Sequence, residues 1–294
     1  VRSDDTRQSL LEKVEIATIL GTFQSTLTYF PYLRKIWKKN TEEERLLGVS
    51  MTGIMDSKLT NGYSGPDELR MLLVELKEKA VEVNAQLADE IGIPRSTSIS
   101  CVKPSGTVSQ LVDSASGIHA RHSEYYIRSV RGDNKDPLTQ FLKDSGIPNE
   151  PDVMKPNATT VFFFPMKAPE GAVLRTDKTA VEQLELWKIY QEEWCEHKPS
   201  VTISVKENEW PEVGGWVYNN FDYISGVSFL PHSDHVYKQA PYDACDEAKY
   251  NDMLSKMPKD IRWEDLAYYE QEDNTSGMQT LACSSDGCEV VDIT

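Results

Sequence analysis

The sequence predicts an α/β protein. Long stretches with apolar residues at helical spacing alternate with short β-type runs, and Gly, Pro or hydroxyl residues punctuate most junctions between them. No internal repeat or low-complexity segment is present, which excludes solenoids and fibrous arrays. The alternation implies parallel strands with crossover helices, and places ligand groups on loops at the strand ends.

The elements follow in order. In SLLEKVEIATILGTFQSTLTYF, Leu10, Val14, Ala17, Leu20 and Leu27 recur at helical spacing with Gln24 as the break, predicting a helix from about Asp5 to Tyr29. Pro31 suits the first turn of a second helix through YLRKIWKKNTEEERLL, and Gly48 with VSMTGI then reads as a strand or buried turn. A third helix spans SGPDELRMLLVELKEKAVEVNAQLADEIG. It has Ser64 as cap, Pro66 near the start, Leu69, Leu72, Leu76, Ala80, Val83 and Leu87 on one stripe, and Gly92 at the exit. Strands are expected at 96–103, 125–131, 159–165, 200–205 and 224–230, and helices at 136–145, 176–196 and 209–221. From about Glu270 the chain turns polar and loses periodicity, so 270–294 reads as a mobile tail on a body of 1–269.

With 294 residues the chain can bury a sizeable core. Its net charge of -16 repels a nucleic-acid backbone, and no apolar run approaches the roughly 20 residues of a membrane span. Nucleic-acid polymers and membranes are therefore not expected partners. Five cysteines, an odd number, without a signal peptide fit a reducing cytoplasm.

Three features carry chemistry. The strand SISCVK runs into PSGTVSQ, whose backbone N–H groups at Ser105, Gly106, Thr107, Val108 and Ser109 can form an anion-binding concavity, with Lys103 adding charge. It lacks the spacing of a P-loop, and an ordinary strand-to-helix connection is the alternative. Two His-x-x-His pairs, His119 with His122 and His232 with His235, lack the helix and spacing of a zinc motif and read better as hydrogen-bonded or surface histidines. The third feature is the tail pair, Cys283 and Cys288. Their spacing, with Gly287 between, permits a small, easily reduced disulfide, which suits a redox shuttle; half of a zinc site is the alternative. Cys101 reads as a core thiol in a strand, Cys195 as an inert half-buried thiol at a helix end, and Cys245 has no evident partner.

Five blocks taken together resemble one family: ATILGTFQSTLTYFPYLRKIWKKNTEEERLLGVSMTGIMD, CVKPSGTVSQLVDSASGIHARHSEYYIRSVRG, TAVEQLELWKIYQEEWCEHKPSVTISVKENEWPEVGGWVY, ISGVSFLPHSDHVYKQAPY and the final cysteine pair. The family is the adenosylcobalamin-dependent (class II) ribonucleotide reductases, and the blocks match its C-terminal portion. The resemblance implies the C-terminal part of a ten-stranded α/β barrel in which a cysteine thiyl radical abstracts hydrogen from ribose and the 2'-hydroxyl leaves as water. It implies adenosylcobalamin as cofactor, a ribonucleotide substrate, favouring the triphosphate over the diphosphate, and thioredoxin or a similar dithiol as reductant. It makes Lys103, Pro104, Ser105, Gly106, Thr107, Val108 and Ser109 the substrate-phosphate loop, and Cys283 and Cys288 the redox shuttle. Pro231, His232 and His235 fall on the substrate and cofactor face. The family's radical loop, Asn-x-Cys-x-Glu, is absent from the sequence, which implies a companion chain or N-terminal half that carries the radical cysteine. A non-catalytic binding or regulatory protein derived from the same fold is the competing expectation.

Overall fold

The structure is a computed structural model that describes residues 1–106, 108–232 and 237–270, together with the backbone of 279–280 and 290–291. In chain order it contains α1 (Arg7–Gln24), α2 (Lys35–Glu44), β1 (Val49–Ser50), α3 (Pro66–Ile91), β2 (Ser100–Cys101) and α4 (Val108–Leu111). There follow β3 (Tyr125–Asp133), α5 (Pro137–Asp144), β4 (Asn149–Pro151), β5 (Thr159–Lys167), α6 (Ala180–Glu193) and β6 (Ser200–Val205). The rest are α7 (Trp210–Asn219), β7 (Gly226–Pro231), β8 (Tyr242–Ala244), α8 (Glu247–Lys256), α9 (Leu266–Tyr269), β9 (Gln279–Thr280) and β10 (Val290–Val291). They divide into two compact units, residues 1–121 with 170–232, and residues 122–169 with 233–294.

The first unit is the α/β body. Strand β1 pairs parallel with β2 across α3, and β6 pairs parallel with β7 across α7, as crossover connections require. The Ser200 N–H donates to Val102 O (2.9 Å), which brings the start of β6 alongside the end of β2. Between these strands and α3 and α6 lies a core that includes Ile54, Leu73, Leu76, Val102, Trp187 and Ile203. The two buried indoles are satisfied: Trp194 Nε1 donates to Cys101 O (2.8 Å) and Trp187 Nε1 to Pro199 O (3.5 Å).

Three expectations are corrected in this unit. Helix α1 ends at Gln24, not Tyr29, and it buries Leu10, Val14, Thr18 and Thr22 while Leu20 and Leu27 stand exposed. Helix α2 starts at Lys35, four residues after Pro31, because the chain from Phe30 to Leu33 forms a turn closed by Leu33 N–H to Phe30 O (3.3 Å). Helix α3 is capped by Gly65 (φ 99°) rather than Ser64, whose hydroxyl donates instead to Lys58 O (3.0 Å). Its stripe is as read from Leu69 to Val83, but Ala88 rather than Leu87 is buried in the last turns, and the helix closes at Gly92 with φ 75°.

The second unit is an antiparallel sheet ordered β4-β5-β3-β8. Strands 125–131 and 159–165 were expected to be parallel; they are antiparallel, with Ser129 opposite Phe163. The reason is that the chain leaving β3 descends through α5 and returns through the short β4, so β5 re-enters the sheet in the opposite sense. Asp136 caps α5 by accepting from Leu138 N–H (2.9 Å), and Phe141 packs against Trp263 and Tyr269 at ring distances of 5.5 Å. Strand β9 pairs antiparallel with β10, Thr280 opposite Val290. Cys283 and Cys288 lie outside the described residues.

Candidate functional site

The C-terminal end of β2 feeds the serine-rich loop, and the C-terminal end of β1 feeds Met51 to Asp56, so parallel pairing delivers both segments to one edge. Their geometry centres on Thr52. Its hydroxyl donates to Ala115 O (2.9 Å), accepts from Gly117 N–H (2.9 Å) and lies 2.6 Å from Ser105 Oγ. A hydroxyl has one hydrogen and two lone pairs, so with its hydrogen on Ala115 O, Thr52 accepts the hydrogen of Ser105. The Ser105 N–H is also engaged, donating to Ser116 Oγ (2.9 Å).

The turn at 113–117 that receives these bonds is held by a buried ion pair. Arg121 grips Asp56 through both forks, Nε to Oδ1 at 2.8 Å and Nη2 to Oδ2 at 2.9 Å, with the two side chains 3% and 2% exposed. Asp56 Oδ2 also accepts Ala115 N–H (2.7 Å), and Arg121 reaches Asp113 O (2.8 Å) and Asp113 Oδ1 (3.0 Å). Gly117 sits at φ 55° where a Cβ would come 2.6 Å from Lys103 O, so only glycine allows the turn to press against the loop. Sequence reading missed Thr52, Asp56, Ser116 and Arg121. The available sign was two polar residues, Thr52 and Asp56, inside an otherwise apolar run, since a buried carboxylate requires a partner.

The expected site residues that the structure describes are placed as follows. Lys103 Nζ donates to Lys198 O (2.5 Å) and Ser200 Oγ (3.1 Å), tying the loop to the start of β6, and Pro104 follows it. The Ser109 N–H closes a helical bond to Ser105 O (3.1 Å), and its hydroxyl bonds the same carbonyl. Gly106 joins the loop to α4, which opens at Val108; Thr107 lies outside the described residues. Pro231 ends β7, and the N–H of His232 donates to Val205 O (2.8 Å) at the end of β6. His235 lies outside the described residues.

His119 is buried, with Thr202 N–H donating to Nε2 (3.1 Å), which leaves the proton on Nδ1 to bond Ser116 O (3.0 Å). It is a hydrogen-bonded histidine of the loop, as read. His122, in the second unit, stacks on Tyr242 with centroids 5.6 Å apart. Burial pushes the Cys195 thiol up to about 12, with nearby Cys101 adding to the rise, and burial raises Cys101 as well. Neither is poised as a nucleophile. Cys245 is half-buried, and burial raises its thiol too.

A curated adenosylcobalamin-dependent ribonucleoside-triphosphate reductase of Euglena gracilis is 30% identical over 248 residues, 81% of this chain and 33% of its own length. A probable adenosylcobalamin-dependent ribonucleoside-triphosphate reductase of Dictyostelium discoideum is 30% identical over 272 residues, 90% of this chain and 34% of its own. The chain resembles these reductases over most of its length. The crystal structure of a B12-dependent (class II) ribonucleotide reductase superposes with a TM-score of 0.76 at 22% identity, covering 89% of this chain and 40% of that one, so the fold is shared. The chain spans about a third of the length of these curated relatives. No protein-family model matches it.

The relatives are named adenosylcobalamin-dependent and the structural neighbour is B12-dependent. Two of the described histidines are engaged within the chain. Both ring nitrogens of His119 are bonded and His197 Nε2 contacts Leu47 O (2.7 Å). Among the described residues no group of three His, Cys, Asp or Glu is placed to hold a metal, and no helix is long and apolar enough to cross a membrane.

Proposed function

We propose that this chain is the C-terminal part of an adenosylcobalamin-dependent ribonucleotide reductase that converts ribonucleoside triphosphates to 2'-deoxyribonucleotides by thiyl-radical chemistry. The observation that carries the reading is the similarity to ribonucleoside-triphosphate reductases across 81% and 90% of the chain, joined to the shared fold. In this reading residues 1–269 contribute to a ten-stranded α/β barrel completed by a companion chain or N-terminal half, and 270–294 form the redox tail. The companion supplies the radical cysteine, since no Asn-x-Cys-x-Glu stretch occurs here. The cofactor supplies the initiating radical when bound, and no residue of this chain is assigned to hold it.

Two features support a companion. Among the described residues β1 pairs with β2 alone, leaving an edge able to accept another strand. Helix α1 turns Ile16, Leu20 and Phe23 to solvent at 59%, 64% and 48% exposure, an i, i+4, i+7 apolar stripe of the kind partners cover.

Lys103 to Ser109 cradle the substrate phosphates, and Pro231, His232 and His235 approach the substrate and cofactor face. The thiyl radical takes hydrogen from the ribose and the 2'-hydroxyl departs as water. Two active-site thiols surrender two electrons and two protons to become a disulfide. One thiolate of Cys283 or Cys288 attacks that disulfide, and the second tail thiol resolves the mixed disulfide. The active-site dithiol is restored, and the tail pair is left oxidised for thioredoxin or a similar dithiol to reduce.

The test assembles the chain with an upstream companion and replaces Cys283 and Cys288 by Ser. Thioredoxin-driven turnover should vanish while turnover driven by a small dithiol persists. Equal loss of both would sink the shuttle, and a wild-type assembly without ribonucleotide reduction would sink the enzyme.

A further inference from the structure

From the bonding at Thr52 we infer that this residue is a positioning residue for nucleotide phosphate: it turns the Ser105 hydroxyl into a donor. The inference rests on reading 103–109 as the phosphate loop.

Without phosphate, the hydrogen of Ser105 points to Thr52 Oγ1, because Thr52 spends its own on Ala115 O. An anionic phosphate oxygen accepts only, so it can engage Ser105 only if that hydrogen swings outward. The swing leaves the Ser105 oxygen ready to accept, and Thr52 is 2.6 Å away with a hydrogen to turn toward it. Ala115 O does not become an orphan when Thr52 turns, since Gly53 N–H donates to it at 2.7 Å. Gly117 N–H continues to donate to Thr52 throughout. The result is a directed chain, Gly117 N–H to Thr52 to Ser105 to phosphate, each member polarising the next.

The chain functions only if the distances hold. Asp56 and Arg121, both buried, ensure this by bonding two points of the 113–117 turn, Ala115 N–H and Asp113 O. Ser116 fixes the loop from the other side through the Ser105 N–H. The hydroxyl pair thus switches its hydrogens without moving the backbone.

The experiment uses the assembled reductase with cytidine triphosphate and with cytidine, which has no phosphate. Thr52→Val should raise KM for the triphosphate about tenfold, the worth of one charge-assisted bond, with the loss confined to KM and cytidine affinity unchanged. Thr52→Ser should restore the wild-type KM. Ser105→Ala should lose a similar factor, and adding Thr52→Val to it should cost nothing more, because both act through one oxygen. The inference is overturned if Thr52→Val leaves the triphosphate KM unaltered, if Thr52→Ser is as impaired as Thr52→Val, or if cytidine affinity falls in parallel. Should Thr52→Val not fold, Thr52→Ser and Ser105→Ala decide the matter: Ser105→Ala without effect, in an enzyme that prefers triphosphate to cytidine, overturns it. A wild-type enzyme that binds cytidine and its triphosphate equally shows instead that the phosphate-loop reading itself is wrong.

Discussion

Helices α1 and α3 lie side by side and run in the same direction, with Glu15 meeting Lys79 (2.8 Å) and Thr22 meeting Asn84 (2.9 Å). Helix α3 turns Leu69, Leu73 and Leu76 to the core and is the amphipathic helix its spacing predicts. Helix α1 does the reverse along its second half, burying Thr18 and Thr22 while exposing Ile16, Leu20 and Phe23. The buried hydroxyls are satisfied within the helix, Thr18 donating to Val14 O and Thr22 to Thr18 O, each at 2.8 Å. Small hydroxyl residues let the two helices approach, and the larger apolar ones are kept for another surface. Periodicity thus reports that a helix has two faces, while the neighbours available to it decide which face goes inward.

The comparison can be tested in order of expected effect. Leu76→Ala empties a fully buried site and should cost about 2–5 kcal/mol of unfolding free energy in urea; a loss below about 1 kcal/mol would mean that the α3 face is not the keystone of the core. Asn84→Leu severs the bonds to Thr22 Oγ1, Ser96 Oγ and Ser96 N–H. It should cost about 1–3 kcal/mol, chiefly from the donor left unpaired. Leu20→Lys combined with Phe23→Lys should shift the stability of the chain alone by no more than about 0.5 kcal/mol. The same pair should abolish association with the companion in sedimentation; unimpaired association would move the companion's footprint off α1.

Much of the first unit was legible. The stripe of α3 and the parallel pairing of β6 with β7 across α7 follow from local composition, whereas the capping box at Thr179 and Glu182, which starts α6 at Ala180 rather than at 176, went unread. The sense of β5 was not, because a short apolar run carries no mark of direction, and the intervening β4 is only three residues, Asn149–Pro151. At the site the serine loop was visible because Gly and hydroxyl residues cluster in sequence. The brace beneath it was not, since Asp56 and Arg121 stand 65 positions apart and only the fold brings them together. The bonds of the Lys103 ammonium to Lys198 O and Ser200 Oγ were equally invisible, because their partners lie nearly a hundred positions along the chain.

The Asp56 and Arg121 pair also constrains how such a chain can change over generations. Arg121 lost alone strands the Asp56 carboxylate in a dry interior, and Asp56 lost alone takes from Arg121 its buried carboxylate partner and leaves it the exposed one of Asp113, changes whose cost approaches the stability margin of a domain. The two positions therefore form one heritable unit, free to drift only by a simultaneous exchange of both. Descent would hold them fixed even if selection never acted on them for the nucleotide itself.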